Sequence, residues 1–225
     1  MSRLKVRQSF FSGRFGRYGS GYVVGQVLKT EELEQLSPVG YHIALRIGFA
    51  FPLVEINEWP HRWIAHYTMQ RLVLRDPVMR WVYGETGAIR WSEIDDPDPH
   101  RVLAQAHAFG LRYGAAVACR DEGPRGMRSF GIFARSDREF RDEELAPLLD
   151  HVTSLHIERA PPKNLTAAEL EALGMVSEGL RQKEIAYRLG VTEGAVKQRL
   201  RNAKTKLQAQ TAAQAATMAR DFGLI

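Results

Sequence analysis

Between residues 40 and 160, short apolar segments alternate with helical patterns. YHIALRIGF and PLVEI are short and rich in β-branched and aromatic residues, which predicts strands. GAAVACR and RSFGIFAR predict two further strands, joined by the Gly- and Pro-containing turn DEGPRG. Apolar periodicity predicts helices over residues 60–70 and 77–87, and another over DPHRVLAQAHAFG.

A long amphipathic helix is predicted over RDEELAPLLDHVTSLHIERA. Its apolar residues recur at three- and four-residue spacing, at Leu145, Leu148, Val152 and Leu155. This stripe exceeds what one sheet face needs, so we expect it to contribute to dimerisation with a partner helix. The prolines of APPKN, which follows, cannot continue the helix and predict a linker at residues 161–164.

After the linker every pattern is helical. Thr166 and Glu169 predict a capping box at the start of the first helix, and Thr192 predicts the cap of the third. Four short helices with tight turns fit residues 165–225. The chain is therefore predicted to hold an α+β domain, an antiparallel sheet flanked by helices, followed by an all-α four-helix domain.

Composition leaves a globular protein as the simplest interpretation. The chain has 225 residues, 44% apolar and 25% charged, with a single cysteine, Cys119. No run of about eighteen apolar residues predicts a membrane span, and the start MSRLKVRQSFF does not resemble a signal peptide. We expect a cytoplasmic protein that makes no membrane contact.

Charge is segregated along the chain. Residues 1–30 hold six basic and no acidic residues, and residues 163–225 hold ten basic and six acidic. Since the whole chain carries +5, the remaining residues carry 5 − 6 − 4 = −5. The Gly-rich start is predicted to be a basic lead over residues 1–39, without the Lys-Ser/Thr of a phosphate loop. A basic C-terminal end makes nucleic acid the first candidate partner.

The third C-terminal helix has one apolar stripe and a basic remainder. Val196, Leu200, Ala203 and Leu207 form the stripe. Its other faces carry the residues predicted to bind DNA, with Thr192 and the helix N-terminus placed for a phosphate: Thr192, Lys197, Gln198, Arg201, Lys204 and Lys206. On charge alone, a solvated basic face explains this pattern equally well.

The preceding segment EIAYRLGVTEGAV decides between these interpretations, because it has the short connection of a helix–turn–helix. The stretch LTAAELEAL…SEGLRQKEIAYRLGVTEGAVKQRLRNAKTKL resembles the helix–turn–helix of LuxR-type transcription regulators. Its matching positions are Leu165, Thr166, Glu169, Gly179, Lys183, Glu184, Ile185, Ala186, Leu189, Val196, Lys206 and Leu207. One departure is Gly194-Ala195, where Thr or Ser usually precedes the Val.

This resemblance implies base contacts by Lys197 and Arg201 and a homodimer on an inverted repeat in double-stranded DNA, with RNA polymerase as a further partner. Ala215 and Ala219 in the last helix offer the small surface of close helix packing and are candidates for dimerisation.

Two other classes fit the N-terminal domain poorly. A phosphorylation receiver needs adjacent acids near the start, and the first thirty residues contain none. The acidic cluster EIDDPDPH contains two prolines and lacks a second His or Cys motif, so a solvated turn is favoured over a metal site. We therefore expect no catalytic residues, no metal and no enzyme.

The spacing Trp63-x3-Tyr67-x8-Asp76-Pro77-x13-Trp91 resembles the acyl-homoserine-lactone-binding domain of the same LuxR-type family, over residues 40–160. The resemblance implies a non-covalent signal ligand and no other cofactor. Trp63 would donate to the lactone carbonyl, Asp76 would accept from the amide N–H, Tyr67 would line the acyl channel, and Trp91 would pack on the lactone ring.

Taken singly, these residues have simpler explanations. Trp63 and Tyr67 at i, i+4 are typical of a core, and Asp76 before Pro77 is a ready helix cap. The chain also departs from the family pattern. Trp59 stands where many members have Tyr, and two hydroxyl positions correspond to Ala116 and Ile132, although Ser129 is near.

The sequence therefore predicts a quorum-sensing transcription regulator with ligand residues Trp59, Trp63, Tyr67, Asp76 and Trp91. Two alternatives remain open: an orphan regulator of the same build that needs no lactone or senses another small molecule, and a dimerising adaptor without sequence-specific DNA binding.

Overall fold

The computed structural model describes residues 27–48, 51–123 and 126–225. The Gly-rich segment that was compared with a phosphate loop, and most of the predicted basic lead, lie outside these residues. The described chain has the predicted fold class, an α+β domain followed by an all-α domain.

Five antiparallel strands form the sheet of the first domain, in the order β2-β1-β5-β4-β3. The strands span Gly40–Ile47 (β1), Pro52–Asn57 (β2), Gly87–Arg90 (β3), Tyr113–Arg120 (β4) and Arg128–Arg135 (β5). The sequence predicted four of them. The edge strand β3 was missed, because the helical pattern predicted over residues 77–87 ran into it. The helix in fact ends at Gly84.

Helices cover both faces of this sheet. They are Thr30–Leu36 (α1), His61–Met69 (α2), Pro77–Gly84 (α3), Val102–Ala108 (α4) and Asp142–Glu158 (α5). Residues of α2, α3 and α4 pack with one core cluster, and residues of α1 and α5 pack with the other. Alternation along each strand supplies both clusters, since successive side chains point to opposite faces.

The predicted boundary of the basic lead at residue 39 is wrong for the part that the structure describes. Leu33 of α1 is buried in the core cluster under α5. The Ser37 hydroxyl donates to the Gly40 carbonyl and accepts from the Ala134 backbone N–H on β5. These residues therefore belong to the first domain.

The predicted dimerisation stripe on α5 is also wrong as a free surface. Leu148 and Val152 are fully buried and Leu155 is 8% exposed, while Leu145 packs against the same cluster at its edge. This 17-residue helix lies on four strands, β1, β3, β4 and β5, and its apolar face packs on its own sheet. Leu148, Val152 and Leu155 are therefore not available to a partner, whereas Leu145 is half-buried.

Four helices form within residues 165–225, all of which the structure describes. They are Ala167–Ser177 (α6), Gln182–Leu189 (α7), Glu193–Lys206 (α8) and Ala212–Asp221 (α9). The predicted capping box of Thr166 and Glu169 is present, as is the Thr192 cap.

Ala215 and Ala219 were also predicted to contribute to dimerisation, and this prediction is wrong too. Both are fully buried in the core of the four helices. The small side chains of α9 do allow close packing, but they pack against helices of their own domain.

Candidate functional site

A cavity of about 210 Å³ lies between the sheet and the helices α2, α3 and α4. Its floor is defined by the strand register. Ile132 of β5 lies opposite His42 of β1 in that register, and both side chains line the cavity.

All five residues predicted to bind a ligand line this one cavity: Trp59, Trp63, Tyr67, Asp76 and Trp91. The rings of Trp63 and Tyr67 lie 5.2 Å apart, and those of Trp59 and Trp91 lie 6.5 Å apart. Trp63 and Trp91 are 5% and 7% exposed. The pairing of Trp63 and Tyr67 comes from their i, i+4 spacing on α2.

Asp76 is both a helix cap and a cavity residue. Its Oδ1 accepts from the Val78 backbone N–H at 2.8 Å, which caps α3, and its Oδ2 accepts from the Tyr67 hydroxyl at 2.7 Å. Burial raises the pKa of the Asp76 carboxyl, although these two bonds oppose the shift. Burial, together with the charge of Asp76, raises the pKa of Tyr67, so its hydroxyl remains a donor.

Trp91 is held against the sheet at Gly114. A Cβ built on Gly114 would lie 2.0 Å from the Trp91 ring atoms Cδ2 and Cε2, so only glycine fits there. The indole Nε1 of Trp91 is buried, and no described residue accepts its hydrogen bond. A buried unpaired donor costs about 1–3 kcal/mol, which a ligand acceptor would recover.

The two substituted hydroxyl positions lie where the sequence placed them. Ala116 and Ile132 are neighbours in register on the face of the sheet that carries the cavity, and Ile132 lines it. Ser129 does not replace the missing hydroxyls, because it points to the opposite face of the sheet. There its hydroxyl bonds His156 Nδ1 at 2.7 Å and accepts from the Arg46 backbone N–H.

Thr68 of α2 lines the cavity and was missed, as were three polar residues of the strands: His42, Glu55 and Asn57. These three occupy positions of β1 and β2 that face the helices. The alternation of apolar and polar residues in PLVEIN could have revealed two of them. It did not, because a polar residue on an edge strand is ordinarily directed to solvent.

Two acidic residues of EIDDPDPH, Asp96 and Asp98, have structural roles. Asp98 accepts from the backbone N–H groups of Val102 and Leu103 and so holds the start of α4, and Asp96 pairs with Arg80. No cluster of three or more potential metal-ligating side chains occurs among the described residues.

In the second domain, α7 and α8 meet at a tight turn. Gly190 caps α7 with φ +64°, and Thr192 caps α8 by accepting from the Ala195 backbone N–H. Val196, Leu200 and Ala203 of α8 are buried. The helix is thus held by one stripe, and its opposite surface faces outward.

Most of the predicted DNA-binding residues share that outward surface. Thr192, Lys197, Gln198 and Arg201 are exposed, and Lys204 is half-buried beside them. Gln198 donates to the Asn202 side chain at 2.8 Å. This leaves the cations Lys197 and Arg201 directed to solvent from the middle of the helix.

The prediction that Lys206 binds DNA is wrong, because its ammonium group is bound within the domain. Its Nζ donates to both carboxylate oxygens of Glu169, at 2.9 and 2.8 Å, and to the Asn164 carbonyl at 2.7 Å. Lys206 lowers the pKa of Glu169 against the effect of burial, so the Glu169 carboxylate is ionised. All three donors of the ammonium group are used inside the domain, which makes Lys206 structural.

Comparison with known proteins decides the family. Residues 52–160 match the family described as autoinducer binding domain, and residues 163–219 match the family described as bacterial regulatory proteins, luxR family. The chain belongs to the LuxR family. It is a DNA-binding transcription regulator with a domain for a small non-covalent signal, and it is not an enzyme.

Relatives of this LuxR-family chain match along most of its length. It is 27% identical to the transcriptional activator protein AhyR of Aeromonas hydrophila, over 82% of this chain and 79% of the relative. It is 29% identical to AnoR of Acinetobacter nosocomialis, over 76% and 78% respectively. The crystal structure of Escherichia coli SdiA superposes with a TM-score of 0.51 at 25% identity, covering 87% of this chain and 88% of that one.

One cluster of this LuxR-family chain has the side chains of a hydrolase. His156 contacts both Ser129 and Asp121, at 2.7 and 3.0 Å. Ser129 is fully buried, however, and the Arg46 guanidinium and His156 lower the pKa of Asp121 against its burial. The cluster joins the end of α5 to the sheet.

No helix among the described residues is both long and apolar enough to cross a bilayer.

Proposed function

We propose that this LuxR-family regulator binds an N-acyl-homoserine lactone in the cavity and, as a homodimer, binds an inverted repeat in double-stranded DNA. The observation that carries the proposal is the pairing, in one aromatic cavity, of the buried carboxylate of Asp76 with the unpartnered donor of Trp91. An acyl-homoserine lactone offers one amide donor and several carbonyl acceptors, which is the complementary set.

The amide and the two carbonyls of such a signal would each have a partner in the cavity. Its amide N–H would donate to Asp76, whose two oxygens provide about four acceptor positions and use two of them within the protein. Ring and acyl carbonyls would accept from the indole N–H groups of Trp63 and Trp91. A bond between the amide and a charged carboxylate is worth about 1.5–3 kcal/mol.

The cavity favours a compact signal. At about 210 Å³ it is smaller than the roughly 300–1,000 Å³ typical of pockets for drug-sized ligands. The bulk of Trp59 and the packing of Trp91 on Gly114 both limit its size. We therefore propose a short or medium acyl chain.

DNA recognition is assigned to α8. Lys197 and Arg201 would reach base edges in the major groove, where both side chains bind guanine O6 and N7. Thr192, Gln198 and Lys204 would contact the backbone near the helix start and along its flank. Since relatives of similar length are named transcriptional activators, we include RNA polymerase as a partner at the promoter.

The orphan regulator is the second candidate, favoured by one observation. Ala116 and Ile132, on the cavity face of the sheet, cannot offer the hydroxyls that the family pattern has at these positions. The acyl carbonyl would then have no hydroxyl donor and would depend on an indole N–H alone. Such a protein would bind a different small molecule, or none.

Mass spectrometry of small molecules extracted from the purified protein tests the first part. We expect an acyl-homoserine lactone when the protein is produced in a host supplied with a panel of these lactones, and a rise in thermal stability when they are added. Asp76→Asn should lose most of this response while remaining folded, because Asn also caps helices well. If no lactone is retained and none raises the thermal stability, the orphan candidate is correct.

Site selection on random duplex DNA tests the second part. We expect one inverted repeat to be enriched, and Lys197→Ala and Arg201→Ala to lose both affinity and site preference. Unchanged preference in both variants would contradict the assignment of α8. If the wild-type protein enriches no site at all, the adaptor alternative is correct.

A further inference from the structure

The side of the cavity along β1 and β2 is polar, in contrast to its floor. His42 lies opposite Asn57 in the register of these strands, and Ala44 lies opposite Glu55. His42, Glu55 and Asn57 all line the cavity. On the next strand, the neighbour of His42 is Ile132, which also lines the cavity, so the polar edge gives way at once to an apolar side chain.

His42 is the deepest member of this edge. Its side chain is 16% exposed, its ring meets the Phe130 ring edge-on at 5.5 Å, and Glu55, 54% exposed, bonds its Nε2 at 2.8 Å. Burial lowers the pKa of His42 even though Glu55 opposes the shift, so the ring is neutral near pH 7. A carboxylate can only accept, which places the single hydrogen of the ring on Nε2 and leaves Nδ1 as an acceptor.

The polar edge of the cavity and the end proposed to bind the head group, at Asp76 and Trp91, are separated by about the length of a short acyl chain. Trp91 stacks at Gly114 on β4, which pairs through Ala134 on β5 with Gly40 on β1. His42 lies two residues further along β1. Two strand spacings of about 4.8 Å and two residues of about 3.4 Å put roughly 12 Å between Gly114 and His42.

A ligand that spanned the cavity would contact polar side chains at its head group, apolar side chains along its chain, and polar side chains again at the polar edge. Of the sheet residues between these ends, Ile132 lines the cavity, and its apolar side chain suits methylene groups. A saturated chain that extended to His42 would end against an imidazole acceptor and an amide, whose hydrogen bonds with water it would displace without replacing them. A hydroxyl at that point satisfies both, since it donates and accepts.

We infer that the signal carries a hydroxyl group at the far end of its acyl chain, recognised by His42 and Asn57. The inference rests on the proposed function, because it takes the head group to lie at Asp76 and Trp91. His42 and Asn57 are then specificity-determining residues for the chain end. Glu55 is a positioning residue that fixes which nitrogen of His42 bears the hydrogen.

Matched pairs of lactones test this in the full-length protein. The probes are N-hexanoyl-homoserine lactone, its ω-hydroxyhexanoyl analogue and the corresponding octanoyl pair, with dissociation constants measured by isothermal titration calorimetry. One hydrogen bond changes affinity about three- to ten-fold, and we expect the wild-type protein to prefer the hydroxylated member of at least one pair by this factor.

His42→Phe keeps a planar ring but lacks the acceptor, and Asn57→Leu keeps the approximate volume of an exposed residue. Each should reduce the preference to about two-fold or less. His107→Phe, the same exchange at an exposed position of α4 outside the cavity, should retain it.

Three results would overturn the inference, and they differ in reach. Equal or tighter binding of the saturated lactones by the wild-type protein contradicts the hydroxyl alone and leaves the proposed function intact. A preference that persists in both His42→Phe and Asn57→Leu contradicts the assigned residues. If neither series binds at all, the proposed function fails together with the inference.

Discussion

Asp76 fills two structural positions with one carboxylate. One oxygen caps α3 through the Val78 backbone N–H, and the other accepts from Tyr67, which comes from a different helix. Because each oxygen has two lone pairs, these bonds leave room for a third donor. The helix cap and the ligand acceptor, which are alternatives in the sequence, are therefore compatible in the structure.

The buried carboxylate of Asp76 should make stability depend on pH in an unusual direction. Its folded-state pKa lies above the ordinary 3.8, so the folded protein binds a proton more readily than the unfolded chain. Between the two values this group adds stability as the pH falls, and the gain levels off near pH 3.8. We expect the free energy of unfolding of the wild-type protein, relative to Asp76→Asn, to rise on acidification.

Urea unfolding at a series of pH values from neutral to about 4 measures this difference. Asp95→Asn, at an exposed loop position, controls for the loss of one charge. A wild-type advantage that shrinks in acid would show that the hydrogen bonds to Asp76 outweigh its burial, and that the carboxylate is more stable folded than unfolded.

Gly114 and Gly174 offer a matched pair of Gly→Ala exchanges. At Gly114 the new methyl group would occupy the place of the Trp91 ring, whereas at Gly174 nothing lies within 4 Å outside the helix itself. We expect Gly114→Ala to lose about 1–3 kcal/mol and to change the Trp91 environment, and Gly174→Ala to gain up to about 1 kcal/mol as a helix substitution. Chemical denaturation monitored by tryptophan fluorescence reports both. Equal effects would contradict the contact between Trp91 and Gly114.

At the level of elements, periodic segments were predictable and their edges were not. The helices α6 to α8 follow from caps, glycine stops and apolar spacing, and all are present. The strand β3 was missed because four half-buried residues do not show a period of two. The sequence showed only the spacing of the cavity residues along the chain. It did not show that they lie close together in space, because long-range contacts of α2, α3 and β4 bring them together.

Lys206 illustrates a misassignment that the sequence could not avoid. A lysine near the end of a basic helix looks like a phosphate contact, but its partner Glu169 lies 37 residues earlier and is 3% exposed. Nothing local distinguishes Lys206 from Lys204. The same reasoning applies to the apolar stripe of α5, whose covering sheet is assembled from distant segments.

Removing Lys206 should therefore affect stability before it affects DNA binding. In Lys206→Met the buried Glu169 carboxylate loses its partner, and we expect the four-helix domain to lose about 2 kcal/mol, less than for a fully buried pair because Lys206 is 24% exposed. Lys197→Met, on the exposed face, should change stability by less than about 0.5 kcal/mol and weaken DNA binding instead. Thermal unfolding and DNA titration of both variants separate the structural role from the DNA-binding role. A Lys206→Met variant that stayed stable and lost only DNA affinity would contradict the structural role assigned to Lys206.

For the whole molecule, the position of the cavity links signal binding to folding. The cavity lies between the sheet and three helices, so a ligand within it contacts half of the buried residues of one core cluster. A ligand that binds only the folded state at 100 times its dissociation constant adds about 2.7 kcal/mol to stability. A signal can therefore regulate the amount of folded, DNA-competent protein without any separate switching element.

The number of chains on the DNA can be read from salt dependence. Each cation that neutralises a phosphate contributes about 0.9 to the slope of log K against log salt concentration. Lys204 lies on the flank of α8 beside the exposed cations, and we assign it to a phosphate. A dimer carries two copies of this contact, so Lys204→Ala should reduce the slope by about two, whereas a monomer would lose about one.

Fluorescence anisotropy on a duplex with the selected site, at several salt concentrations, gives the slopes of the wild-type protein and of Lys204→Ala. Lys29→Ala, an exposed charge of the first domain, should leave the slope unchanged. A decrease of only one would contradict binding as a homodimer, and no decrease would remove Lys204 from the interface.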